Sequence, residues 1–127
     1  MKLFLITFLL CLSFAQAKLL EYSATITSVK DGDTLEAVID LGFDISIKQT
    51  VRLKGLDAPE LKTPQGITAR DYLTERLKGK AVTLEVESTK LREKYGRLLA
   101  TIILKGKNIN LELIEKGLAK EYDGGKR

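Results

Sequence analysis

Histidine is absent from the 127-residue chain, which removes the commonest general base. Its one cysteine, Cys11, stands near the N-terminus, so residues 18–127 have no thiol and no disulfide framework. With both soft ligands missing, proton transfer falls to carboxylates and any metal site to hard cations. There is no long basic tract, internal repeat, low-complexity segment or interdomain linker. Recognition of a polyanion must therefore come from placed residues, not from a charged tail.

The chain opens with Lys2, an apolar run from Leu3 to Phe14 and a small-x-small site at Ala15-Gln16-Ala17. This is the pattern of a signal peptide over residues 1–17, cut after Ala17. The run falls short of the roughly 20 apolar residues that span a bilayer. Leu10, before Cys11, is not the small residue expected ahead of a lipid-modified cysteine. The expectation is an exported protein, secreted or periplasmic, with no membrane attachment after cleavage. Without Lys2, 20 of the 21 basic residues remain against 17 acids, a net charge of +3.

Residues 18–127 are enough for one domain with a modest core. Tyr22, Ala24 and Ile26 alternate with polar residues and predict a strand over 20–29; Leu35, Ala37 and Ile39 predict another over 34–40. A loop around 41–44 leads to a long strand over 45–56. Thr63-Pro64 reads as a helix start, and Ala69, Tyr72, Leu73 and Leu77 follow at helical spacing up to Gly79. Two more strands, 81–87 and 97–104, precede a helix over 109–116 that stops at Gly117, and the tail from Asp123 is read as frayed. The order βββαββα, mainly β with α, matches a five-stranded OB-fold barrel with two helices.

Three polar clusters interrupt the strands: Asp31-Gly32-Asp33-Thr34, Asp57-Ala58-Pro59-Glu60 and Lys94-Tyr95-Gly96-Arg97. Singly, each reads as an ordinary turn. Together they stand at strand ends, where a small barrel brings distant segments to one rim. Were Asp33, Asp57 and Glu60 to converge, two carboxylates about 4 Å apart would repel by about 4 kcal/mol at an effective dielectric near 20, so the cluster calls for a cation or a proton. Oxygen ligands favour Ca²⁺, with Mg²⁺ or Mn²⁺ next. Arg52 and Arg97 would offer forked donors to a phosphate.

These motifs, with Gly117-Leu118-Ala119, resemble the thermonuclease family of staphylococcal-type secreted nucleases, in the same order from about Tyr22 to Tyr122. The resemblance implies a Ca²⁺-dependent endonuclease on an OB-fold that cuts DNA and RNA to 3′-phosphate products, and a monomer is expected. By position, it implies Asp33 and Asp57 as side-chain metal ligands and Ala58 as a backbone-carbonyl ligand. Glu60 takes the place of the carboxylate beside the attacking water, and Arg52 and Arg97 those of the arginines on the scissile phosphate. Tyr95 takes that of an aromatic near the nucleotide, and Asp31 that of an acid behind the metal. The chain departs from the pattern in a longer loop around 41–46, a shorter segment between Glu60 and the first helix, and Asp123 where a tyrosine is usual, with Tyr122 one position away. Two other readings use the same residues: a catalytically inactive OB-fold module that binds nucleic acid, and a small Ca²⁺-binding structural domain, which leaves Arg52 and Arg97 without a role.

Overall fold

Alternation of buried and more exposed positions builds the strands, as the computed structural model of residues 16–125 shows. The expected export signal falls almost wholly on residues 1–15, outside the described residues. The strands β1 (Leu19–Asp31), β2 (Thr34–Gly42) and β3 (Ile45–Leu53) form an antiparallel meander. After a two-residue strand β4 (Leu56–Asp57), the helix α1 (Pro64–Leu77) leads to β5 (Ala81–Glu87), which pairs with β1, and then to β6 (Leu98–Leu104), which pairs with β5. A parallel seam between Val51–Leu53 of β3 and Leu98–Ala100 of β6 closes the five long strands into a barrel. The remaining elements are β7 (Lys107–Asn108), α2 (Ile109–Glu115) and β8 (Lys120–Glu121). This is the expected α+β OB-fold arrangement.

The inward rows are the alternating residues of the sequence: Ala24 and Ile26, Leu35, Ala37 and Ile39, Val51 and Leu53, and Val82, Leu84 and Val86 are all buried. Each large aliphatic side chain so buried stabilises the fold by about 1.5–3 kcal/mol relative to exposure. Helix α1 covers the core with Ala69, Leu73 and Leu77. Thr63 caps it, its Oγ1 accepting the Gly66 N–H at 3.0 Å. Helix α2 adds Ile109 and Leu113, and its buried Asn110 ties it to the seam: Nδ2 donates to the carbonyls of Lys54 at 2.9 Å and Ala100 at 3.1 Å, while Oδ1 accepts the Ile102 N–H.

Three local features differ from the sequence expectation. The long strand over 45–56 ends at Leu53, and pairing resumes only at Leu56–Asp57. Ahead of the tail expected to fray from Asp123 there is a strand that the sequence reading did not include: β8 pairs with β4, and the Tyr122 N–H donates to the Gly55 carbonyl at 3.0 Å. The loop around 41–44 is a tight turn, with Phe43 and Asp44 both at positive φ between strands that pair up to Gly42 and Ile45. Among the described residues, no helix is long and apolar enough to cross a membrane.

Candidate active site

Arg52 is the centre of the site, because alternation turns it to the face opposite Val51 and Leu53, where it lies between two acids. The chain reverses at Gly32-Asp33 between β1 and β2, and Thr34 stands opposite Arg52 in the β2–β3 register. Arg52 Nη2 lies 3.2 Å from Asp57 Oδ1 and 3.4 Å from Asp33 Oδ2, while Nη1 donates to the Leu53 carbonyl at 3.2 Å. All three side chains are buried. A buried ion cluster of this kind adds little net stability, because desolvation offsets the attraction. What it supplies is a guanidinium with a fixed position.

One further contact binds the first two clusters together, and a second braces the first cluster from within. Asp33 Oδ2 accepts the Ala58 N–H at 2.9 Å, and Asp31 Oδ1 accepts the Asp33 N–H at 3.0 Å. Burial pushes the Asp31 carboxyl up to about 6, and its hydrogen bond with Asp33 acts in the same direction. Burial also pushes Asp33 upward, but Asp31, the Ala58 N–H and the Arg52 charge outweigh it and hold Asp33 below the ordinary carboxylate value.

The third cluster arrives through Thr34 and is steadied by Glu93. Arg97 Nη1 donates to Thr34 Oγ1 at 3.4 Å, and Thr34 Oγ1 donates in turn to Asp33 Oδ1 at 3.0 Å. Glu93 takes the other donors of Arg97, Nε at 3.1 Å and Nη2 at 3.2 Å, and its Oε1 also accepts the backbone N–H of Tyr95 and of Arg97. Those bonds, the Arg97 guanidinium first, bring Glu93 down to about 2 and raise Arg97 in return. Tyr95 is largely exposed, with the Arg97 guanidinium 5.8 Å from its ring centre. Arg52, Arg97, Lys94, Tyr95 and Tyr122 line one open groove of about 1580 Å³.

Of the predicted residues, the structure thus brings together Asp31, Asp33, Arg52, Asp57 and the Ala58 backbone, with Arg97 one hydroxyl away. Glu60 stands apart. Its exposed carboxylate pairs with Lys62 at 3.1 Å, and its carbonyl accepts the Thr63 N–H and hydroxyl at the start of α1. Sequence reasoning gave no site role to Thr34 or Glu93, although Glu93 lies four residues before Arg97, a spacing that favours ion pairs. It also missed two glycines that let the clusters meet. A Cβ on Gly32 would lie 2.7 Å from the Cβ atoms of Ala58 and Ala69, and one on Gly66 would lie 1.9 Å from the Glu60 carbonyl oxygen. The corner at 57–60 rests on α1 only because both are bare.

A hard cation suits the donors, which are carboxylate and carbonyl oxygens alone. Among the described residues, however, no three His, Cys, Asp or Glu side chains form a group that could hold a metal ion. The two acids nearest to such a group, Asp33 and Asp57, flank Arg52 instead. In chemistry the donor set fits such a cation, which Asp33, Asp57 and the Ala58 carbonyl would meet with oxygen atoms alone.

The family model described as staphylococcal nuclease homologue matches residues 50–126, which hold Arg52, Asp57, Glu60 and Arg97. Staphylococcal-like nuclease CAN1 of Arabidopsis thaliana is 36% identical over 75 residues, covering 59% of this chain and 22% of its own length. Endonuclease YhcR of Bacillus subtilis is 36% identical over 115 residues, 80% of this chain and 9% of its own length. Endonuclease YncB of the same organism is 32% identical over 104 residues, 77% of this chain and 47% of its own length. The chain therefore spans less than half of each of these relatives. With a matching family model over more than half its length and the acid and arginine clusters assembled on the barrel rim, the chain belongs to the family of staphylococcal nuclease homologues.

Proposed function

We propose that the protein is an exported, metal-dependent endonuclease that hydrolyses phosphodiester bonds of DNA and RNA, with Ca²⁺ as its ion. The observation that carries this reading is the buried contact of Arg52 with Asp33 and Asp57, with Arg97 reaching the same rim through Thr34. An OB-fold that only bound nucleic acid would have no need to bury two acids where a polyanion lands. The names of the relatives above, two of them endonucleases, support the same activity.

In this mechanism Arg52 and Arg97 donate to the non-bridging oxygens of the scissile phosphate and stabilise the charge that grows on them. Glu60 accepts the proton of the attacking water as the water oxygen bonds to phosphorus, and the bond to the 5′ oxygen breaks, the 5′ oxygen taking a proton from solvent to leave as a hydroxyl and the chain keeping a 3′-phosphate. Glu60 must first leave Lys62, which costs little, since exposed ion pairs are worth about 0–1 kcal/mol. Asp33, Asp57 and the Ala58 carbonyl would hold the cation, whose chemistry is to polarise a phosphoryl oxygen and orient water. Asp31 steadies Asp33 from behind, and Tyr95 offers an exposed ring to a base, a contact worth about 1–3 kcal/mol per base.

The test is a metal-titrated assay of the purified protein on DNA and RNA. Ca²⁺-dependent loss of high-molecular-weight substrate, stopped by EDTA, is expected. The second reading, an inactive binding module, draws on the pairing of the exposed Glu60 carboxylate with Lys62. Retained DNA binding with no cleavage under any divalent metal would establish it and overturn the first.

A further inference from the structure

The nine residues from Asp40 to Lys48 form a hairpin arm in which every residue is exposed. Its apolar content is high for so open a segment: Leu41, Phe43, Ile45 and Ile47 all show substantial surface, and Phe43 is 99% exposed. Phe43 also adopts φ 54°, a left-handed conformation that bulky residues rarely take. The arm has an unpaired side as well. Ile45–Thr50 of β3 pairs with β2 alone, since the seam to β6 begins only at Val51, leaving an open strand edge.

We propose that this edge is a self-association surface on which a second copy of the chain pairs, β3 against β3, antiparallel about a two-fold axis through Ser46. Such an axis makes the contact isologous, so each residue meets its complement twice. Ser46 falls opposite Ser46 of the second copy, Ile45 opposite Ile47, and Asp44 opposite Lys48. The isoleucines belong to the row that continues the buried Leu35, Ala37, Ile39 and Val51, so four of them form one apolar stripe across the junction. On the other face, the opposite charges meet twice. Lys48 stands 3.3 Å from Glu36 in its own chain, but Lys30 stands 3.7 Å from that same carboxylate, so Lys48 can turn to Asp44 without leaving Glu36 alone.

The arm's charges favour a second copy over a lipid surface. Its acids, Asp40 and Asp44, flank the exposed Phe43, and Lys48 is its one cation, whereas segments that enter anionic membranes are rich in Lys and Arg. Two short arms bury less than the roughly 1,200 Å² of a standard interface, so association in the micromolar range or weaker is expected. The inference replaces the sequence expectation of a monomer and does not rest on the nuclease reading. Arg52 lies about 20 Å along the strand from Ser46, so pairing leaves the candidate site open.

Sedimentation equilibrium of the purified chain, over a range of concentrations, tests it. A reversible monomer–dimer equilibrium is expected. Asp44→Lys and Lys48→Asp should each weaken it roughly tenfold by setting like charges opposite each other, and the double exchange should restore it. Melting temperatures near that of the native chain confirm that the variants are folded. A chain that stays monomeric up to about 1 mM, far above the expected range, would overturn the inference. So would a dimer indifferent to both reversals, or binding to anionic vesicles by a monomer that Phe43→Ser abolishes.

Discussion

Both forked donors of Arg97 lie on Glu93, and this fixes what the arginine can do for a phosphate. A free arginine would lose side-chain entropy on docking, whereas one clamped by a carboxylate is already oriented and keeps Nη1 for the rim. Glu93 also holds the backbone of the turn that carries Tyr95. It is therefore a positioning residue in the proposed reaction. Glu93→Gln keeps one acceptor and removes the charge. A charged hydrogen bond is worth about 1.5–3 kcal/mol, and even partial expression of that in the transition state lowers kcat roughly tenfold. Steady-state kinetics on DNA should show this fall with a smaller change in KM. An unchanged kcat would mean that groups other than Glu93 orient Arg97.

At the scale of elements, the two helices are joined through one acid. Glu112 of α2 accepts from Tyr72 and Arg76 of α1 and pairs with Lys107 of β7, all near 3.0 Å, and is itself almost fully buried. The Arg76 bond is the largest influence that brings its carboxyl down to about 2 from the ordinary 4.5. A folded-state value below the unfolded one gives stability that is complete above about pH 4.5 and is lost as pH falls towards 2. Glu112→Gln is expected to cost about 1–3 kcal/mol at pH 7, because Arg76 and Lys107 can still turn to solvent. In urea melts the gap between variant and native protein should narrow below pH 4.5, and a gap constant from pH 7 to pH 3 would contradict the ionised role of Glu112. None of this tie was legible in the sequence, since Tyr72 reads there as a member of the α1 stripe and no motif or spacing singles out Glu112. The long strands and both helices were legible, because seven or more residues are enough to display a period of 2 or 3.6. The two-residue strands β4, β7 and β8 display no period, and only tertiary pairing defines them.

Across the whole molecule, closure of the barrel decides which residues become neighbours. The clusters at 31–34, 57–60 and 94–97 were legible as motifs, and the meeting of the first two follows from the β2–β3 register and the bare Gly32. Arg97 joins them because the parallel seam places Leu98 beside Val51, a pairing that no local pattern announces. The position of Glu60 depends on α1 packing through Gly66, which the sequence shows only as a glycine near a helix start. The acids that closure gathers are also where a bound ion would be linked to folding. Because Asp33 and Asp57 meet only in the folded chain, a cation held there stabilises the fold by about 2.7 kcal/mol at a hundred times its Kd. For a domain of this size that corresponds to a rise in Tm of roughly 10 °C. Thermal melts with Ca²⁺, Mg²⁺ and Mn²⁺ should show it most strongly for Ca²⁺, and Asp57→Asn should remove most of the rise. A native protein that melts at the same temperature with all three ions and with EDTA would show that the acids hold no cation and that Arg52 serves as a counter-charge in its place, whatever the outcome of the cleavage assay.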